Sequence, residues 1–222
     1  MKDFKPMKGF GWPEQAQQPQ YAQAPQRTSM TGIAMLAAIV GIVAAVLFFS
    51  YNGLLGKEEA VFAAWANVES TLQRRSDLIP NLVATVKGYA QHEQETLNQV
   101  VDARAKATQP ISAKDLSNPA AMQQFQNSQA ALGGALSRLL VTVERYPDLK
   151  ANQNFLALQE ELTTTENKVS FARQAYNDAV TDYNNARAVF PAVLLAGLFG
   201  FAEAKLLEVE APEMREAPKV SF

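Results

Sequence analysis

Apolar residues follow two different patterns along this chain. From Thr28 to Gly56 no residue is charged, and Gly32 to Phe49 (GIAMLAAIVGIVAAVLFF) is apolar throughout. A helix needs about 20 apolar residues to cross a bilayer, so the stretch predicts a single transmembrane helix, assigned to residues 30–52. The polar region ahead of it is long for a signal-peptide n-region, and the exit sequence FFSYNG lacks a small-x-small cleavage pattern, which marks an uncleaved anchor.

Beyond Lys57 the pattern acquires a helical period. Val61, Trp65, Val68, Leu72, Ile79, Leu82, Val86, Tyr89 and Val100 recur in steps of three and four with Arg75 in one slot, predicting a helix from Lys57 to about Thr108. Pro80 lacks an N–H and interrupts that helix. Because Trp65, Leu72, Ile79, Val86 and Val100 keep one heptad phase across it, a kink is expected; a tight turn at Ser76–Pro80, capped by Ser76 or Asp77, is the alternative. Residues 109–119 (QPISAKDLSNP) read as a loop. Asn118 then caps a second helix that opens on Pro119 and runs to about Arg145, burying Met122, Phe125, Leu132, Leu136, Leu139, Leu140 and Val143. A third helix is expected from about Asn152 to Arg187. Phe155, Leu162, Val169, Tyr176, Tyr183 and Phe190 lie seven apart in it, with a companion row of Leu158, Thr165, Ala172, Ala179 and Ala186.

The resulting fold class is all-α: an N-terminal single transmembrane helix, then an antiparallel bundle of three to four long helices with coiled-coil-like packing over 53–187. Its core candidates are Trp65, Leu72, Ile79, Phe155, Leu162, Val169, Tyr176 and Tyr183. The stretch 188–202 (AVFPAVLLAGLFGFA) is too short to span a bilayer and predicts a short helix packed on the bundle, or else a surface that dips into the membrane or joins subunits. Val193, Leu194, Leu195, Leu198 and Phe199 form that apolar contact surface. The Gln- and Pro-rich residues 1–29 are expected to be a disordered tail, and the C-terminal residues to 222 an extended one.

Composition narrows the chemistry. The 222 residues include no cysteine and one histidine, which excludes disulfides, thiolate metal sites and thiol catalysis. With 20 Lys+Arg against 22 Asp+Glu and a net charge of −2, no global basic field attracts nucleic acid. No GxSxG, P-loop, GxGxxG or HExxH pattern is present. His92, taken as helical, lacks further ligands nearby, and Glu160, Glu161 and Glu166 lack the paired Glu-x-x-His motifs of a di-metal bundle. The expectation is therefore no catalytic residue, cofactor, metal or small-molecule substrate. Arg75, in a core slot, is expected to pair with a buried acid, Glu166 being the candidate, and so to fix helix register. Ala37, Gly41 and Ala45 form a small-xxx-small stripe suited to membrane-helix packing. Lys2, Lys5, Lys8 and Arg27 against Asp3 and Glu14 place the N-terminus in the cytoplasm and the helical domain outside it.

Several runs resemble the LemA family: AWANVESTLQRRSDLIPNLVATVKGYAQHE (64–93), LSRLLVTVERYPDLKAN (136–152), Phe155, LQEEL (158–162), TEN (165–167) and Ala172-Arg173. The Tyr-Asn steps at Tyr176-Asn177 and Tyr183-Asn184, Phe190-Pro191, LFGF (198–201) and the closing PKVSF continue it, so the resemblance covers about residues 50–222. It implies a bacterial single-pass membrane protein with a long-helix antiparallel bundle and no established enzymatic activity. It also implies, by association alone, a membrane-embedded metalloprotease as one candidate partner. Joined with the residue reading, the expectation is a non-enzymatic scaffold of the bacterial inner membrane that self-associates or docks another envelope protein. The alternative is a lipid- or curvature-responsive protein whose 188–202 stretch contacts the bilayer.

Overall fold

The computed structural model describes residues 28–207. Most of the N-terminal tail, and the C-terminal tail from residue 208, lie outside the described residues. The chain divides into two units, Met1–Val43 and Ala44–Phe222. In the first, residues 28–43 are helical, and from Met30 onward every one is exposed. Ile33, Leu36, Ile39, Val40 and Val43 point outward together. A helix apolar on all sides with no protein against it has a membrane as its natural solvent.

The second unit is built from α1 (Thr28–Tyr89, whose first part belongs to the first unit), α2 (Gln94–Ala107), a 3-10 turn (Ala113–Ser117), α3 (Pro119–Val143), the single turn α4 (Pro147–Lys150), α5 (Gln153–Ala188) and α6 (Ala192–Phe199). No strand occurs among the described residues. Cross-helix pairs give the directions. Lys57–Asp182, Arg75–Glu166 and Tyr89 with the α5 cap Asn152 run antiparallel between α1 and α5, whereas Trp65–Phe125 between α1 and α3, and Glu93–Arg145 just beyond the ends of both, run parallel. With α2 folded back along α1, this is an antiparallel bundle. The long helices are α1, α3 and α5; α2 is shorter.

Local sequence explains the starts. Asn118 Oδ1 accepts from Ala120 N and Ala121 N at 3.0 and 3.4 Å, with Pro119 at the first helical position where its missing N–H costs nothing. Asn152 Oδ1 accepts from Phe155 N at 3.0 Å and opens α5. At about 1.5 Å per residue α5 is roughly 54 Å long, which requires packing along its length.

The first bundle helix runs on through Pro80, so the alternative of a tight turn there does not hold, and it departs from expectation at its end. It stops at Tyr89 and does not reach Thr108, because the chain reverses over Ala90–Glu93 into α2. Gly88 weakens the last turn of α1, and Glu93 anchors the reversal by accepting from Arg145 Nη2 and the Tyr146 hydroxyl, both at 3.0 Å. Val86 and Val100 share a phase because they face one core from the two arms of a hairpin.

Pro80 is tolerated for an equally specific reason. A proline at this position leaves the carbonyl four residues earlier without its helical donor. That carbonyl belongs to Ser76, and it accepts instead from Arg104 Nε of α2 at 2.9 Å. We expect Arg104→Met to cost about 1–3 kcal/mol in the native chain and much less in a Pro80→Ala background, where the helix supplies its own N–H. A denaturation double-mutant cycle measures the difference; equal losses in both backgrounds would refute the substitution of one donor for the other.

The core falls into two blocks. One holds Leu54, Val61, Trp65, Val68 and Leu72 of α1 with Met122, Phe125, Val169, Tyr176 and Tyr183. The other holds Ile79, Leu82, Val86, Leu97, Val100, Leu132, Leu139, Phe155 and Leu162. Helix α2 fills the fourth position only in the second block. In the first, that position is taken by Leu116 of the 3-10 turn, by Ala192 and Ala196 of α6, and by Phe201, Ala204 and Leu207 of the extended segment after it.

Candidate functional site

Between the two blocks lies a polar layer. Arg75, 2% exposed, donates through Nη1 to both Glu166 carboxylate oxygens at 3.1 and 3.2 Å and through Nη2 to Gln129 Oε1. Gln129 is equally buried, and its Nε2 donates to the Ala107 carbonyl at 2.8 Å. Ala107 ends α2, so its carbonyl is one that the helix leaves without an N–H. The guanidinium therefore ties four helices at one level. Arg75 and Glu166 meet in the structure, but Glu166 is not a buried acid: its side chain is 54% exposed, facing solvent at the edge of the layer. Gln129, which interrupts the apolar row of α3 where Arg75 interrupts that of α1, was the missing member; two polar residues at matching core slots were the available signal.

A cleft of about 170 Å³ opens beside this layer, lined by Trp65, Ser76, Phe125 and Gln129 among others. Trp65 Nε1 and Ser76 Oγ are buried there without a protein partner. The one ionisable residue among those lining it is Glu69. His92 is an exposed residue of the α1–α2 turn, not of a helix as expected, and no metal-binding group of His, Asp and Glu occurs among the described residues. Glu161 is taken up by an ion pair with Arg74.

Ala37, Gly41 and Ala45 follow one another at four-residue steps on α1, all exposed, and a side chain built at Gly41 would meet nothing. The core candidates Trp65, Leu72, Ile79, Phe155, Leu162, Val169, Tyr176 and Tyr183 are all buried.

The apolar C-terminal surface is split by its own helix. Helix α6 buries Ala192, Leu195 and Ala196 and exposes Val193, Leu194, Leu198 and Phe199, beside the exposed Val189 and Phe190. Leu195, expected on the contact surface, is instead 6% exposed, because an eight-residue helix turns every third or fourth side chain inward. Phe199 packs edge-on against Tyr51, with ring centroids 5.1 Å apart, so α6 sits where the apolar span of α1 ends.

After α6 the chain runs extended along α5, held by the two Tyr-Asn steps. Asn177 and Leu207 exchange a pair of hydrogen bonds, Nδ2 to the Leu207 carbonyl and the Leu207 N–H to Oδ1, both at 2.8 Å. Asn184 does the same with Ala204 at 2.8 and 3.2 Å. The Tyr176 and Tyr183 hydroxyls donate to the carbonyls of Lys205 and Ala202 at 2.9 and 2.8 Å. Burial pushes both phenols up, Tyr183 to about 12 with Glu58 adding to the effect, so both remain donors throughout the neutral range. Burial also raises the Glu58 carboxyl, and the neighbouring charge of Glu59 adds to the effect. The tyrosines were legible as core; that each Tyr-Asn step grips backbone was not.

Comparison with known proteins finds relatives over most of the chain. Magnetosome protein MamQ 2 of Paramagnetospirillum magneticum is 25% identical over 193 residues, 78% of this chain and 71% of the relative. Magnetosome protein MamQ of Magnetospirillum gryphiswaldense is 25% identical over 200 residues, 81% and 74% of the two chains. Protein LemA of Metamycoplasma hominis is 23% identical over 182 residues, 77% of this chain and 80% of its own. The model of the LemA family matches residues 64–222, which include most of the bundle, α6 and the Tyr-Asn steps, and the chain belongs to that family.

Proposed function

We propose that this protein is a non-enzymatic, membrane-anchored scaffold of the bacterial inner membrane that acts by self-association or by docking another envelope protein, a membrane metalloprotease being one candidate. The observation that carries the reading is the distribution of its apolar surface: an all-round apolar anchor, and a bundle that exposes Val193, Leu194, Leu198 and Phe199 together on α6, beside Val189 and Phe190, while others such as Val141 and Phe171 stand apart on other helices. Its buried polar cluster is spent on aligning helices. The charge rule supports a cytoplasmic N-terminus and an extracytoplasmic bundle. Full-length protein crosslinked in its native membrane should yield homo-oligomers or adducts with a second membrane protein; a strict monomer without adducts overturns the reading.

The contact between Phe199 and Tyr51 favours a second reading, in which the exposed face of α6 lies in the interfacial region of the bilayer. The chain has no cysteine, so a fluorophore on Leu198→Cys reports one position. In reconstituted vesicles it should be quenched by lipid-borne nitroxide, whereas the same label on Val141→Cys, exposed on α3, should not. Equal quenching at the two positions refutes lipid contact. Leu195→Asp is no test of it, because that side chain is in the core.

A further inference from the structure

We propose that the pocket walled by α1, the 3-10 turn, α5 and the segment after α6 holds the headgroup of an aminophospholipid, Glu58 taking its ammonium group and Arg187 its phosphate. The inference rests on α1 being anchored in a bilayer, and not on α6 touching lipid.

The pocket has a volume of about 240 Å³ and is lined by Glu58 and Phe62 of α1, Lys114 and Leu116 of the 3-10 turn, Tyr183 of α5 and Ala202 of the segment, among others. A cavity of about 150 Å³ holds benzene, so this one has room for the roughly eight non-hydrogen atoms of a phosphoethanolamine group. Two opposite charges stand beside it, and they are not spent on each other. Arg187 lies one helical turn beyond Tyr183, and its Nη1 reaches the Phe201 carbonyl, between the lining residues Gly200 and Ala202, at 3.5 Å. Its Nε is buried without a protein partner. Neither Glu58 nor Arg187 belongs to an ion pair among the described residues, although the charges of both reach the Tyr183 phenol. Burial raises the Glu58 carboxyl, a cost that an ammonium ion beside it would offset. A simple anion would suit Arg187 and be repelled by Glu58, and a simple cation the reverse; a zwitterion suits both.

The two charges also stand at matching depths. Glu58 follows Asn52, the last residue of the expected span, by six residues, about 9 Å along the helix at about 1.5 Å per residue. Headgroups add about 5–8 Å to each side of a hydrocarbon core about 30 Å thick, so Glu58 stands at the outer edge of that layer. Helix α5 runs antiparallel to α1, and Lys57 pairs with Asp182, which puts Arg187 roughly level with Asn52, at the inner edge. A phospholipid is ordered the same way, with phosphate next to the hydrocarbon and ammonium beyond it. The membrane is therefore the source that delivers this chemistry in the orientation the pocket requires.

The experiment reconstitutes full-length protein in vesicles of phosphatidylethanolamine and phosphatidylglycerol in equal amounts, and native mass spectrometry reads the lipid that stays bound on release. Phosphatidylethanolamine should be retained several-fold over phosphatidylglycerol, which has the phosphate and no cation; equal retention overturns the proposal. Glu58→Gln should abolish the preference. Ala202→Phe, at an exposed lining position, fills the pocket with both charges in place and should lower phosphatidylethanolamine retention several-fold. Circular dichroism checks that each variant is folded, and should one fail, the other decides: a preference that survives it overturns the proposal. If the preference is lost instead in Leu198→Ser, on the exposed face of α6, the lipid sits there, and only the second reading of the function stands. Free phosphoethanolamine should not displace the lipid; if it does, the site serves a soluble amino phosphate and the lipid assignment falls. Protein that floats with the vesicles but shows no preference keeps its anchor and refutes this proposal alone, whereas protein that fails to float refutes the anchor as well.

Discussion

Replacing Arg75 by alanine is expected to lower the melting temperature of the bundle by roughly 6–12 °C, from a loss of about 3 kcal/mol at 2–4 °C per kcal/mol for a domain of this size. The loss arises from what the guanidinium leaves behind. Gln129 Oε1 is buried and would have no donor, and Gln129 would no longer be held against the Ala107 carbonyl. The figure sits at the lower end for a broken buried ion pair because Glu166 faces solvent and regains water. Glu166→Gln should accordingly cost under about 1 kcal/mol. Pairing Arg75→Leu with Gln129→Leu should recover part of the loss, since apolar side chains of similar size leave no orphaned polar atom between the two blocks. Far-UV circular dichroism of detergent-solubilised protein gives all of these values. An Arg75→Ala protein that melts like the parent would show that the layer holds nothing together.

Trp65→Ala should be the more severe change, about 5 kcal/mol, or roughly 10–20 °C in melting temperature. The indole is 4% exposed and stands edge-on to two rings, Phe125 at 5.3 Å and Tyr176 at 5.4 Å between centroids, so alanine opens a cavity that three helices line. Trp65→Phe keeps most of the volume and should cost less than half as much. The position of the defect matters as well. Trp65 belongs to the block that contains Val169 and Tyr176, not to the one that contains Phe155 and Leu162. Amide exchange should therefore quicken first around Val169–Val180. Amides on the far side of the polar layer, such as those of Val83 and Val86, should follow only when the whole bundle opens. Uniform loss of protection would mean that the two blocks act as one.

The long-range order of this protein was legible where the signal is local and repeated. The row of Phe155, Leu162, Val169, Tyr176 and Tyr183 announces a helix and its buried face together, and Asn118-Pro119 announces a start. The shared heptad phase carried the helix through Pro80, but the distant contact that lets it pass was not legible. Pro80 is the strongest breaker in α1, yet its effect is offset by a side chain 28 residues on from the carbonyl it strips of a donor. The real reversal at Ala90–Glu93 carries no proline, asparagine or aspartate to mark it. Leu195 was misplaced because α6 is apolar on every side, which leaves no polar face to show which way is out. The grip of Asn177 and Asn184 escaped notice for another reason: their partners are main-chain atoms, and a sequence displays only side chains.

Pro80 and Arg104 also constrain the order in which this chain can change by mutation. A lineage that loses the arginine first passes through a protein with a carbonyl stripped of its donor in the middle of its longest helix, whereas one that replaces the proline first passes through a sound intermediate. Descent is therefore easy in one direction and obstructed in the other, and the two positions behave as a single heritable character although they lie on different helices.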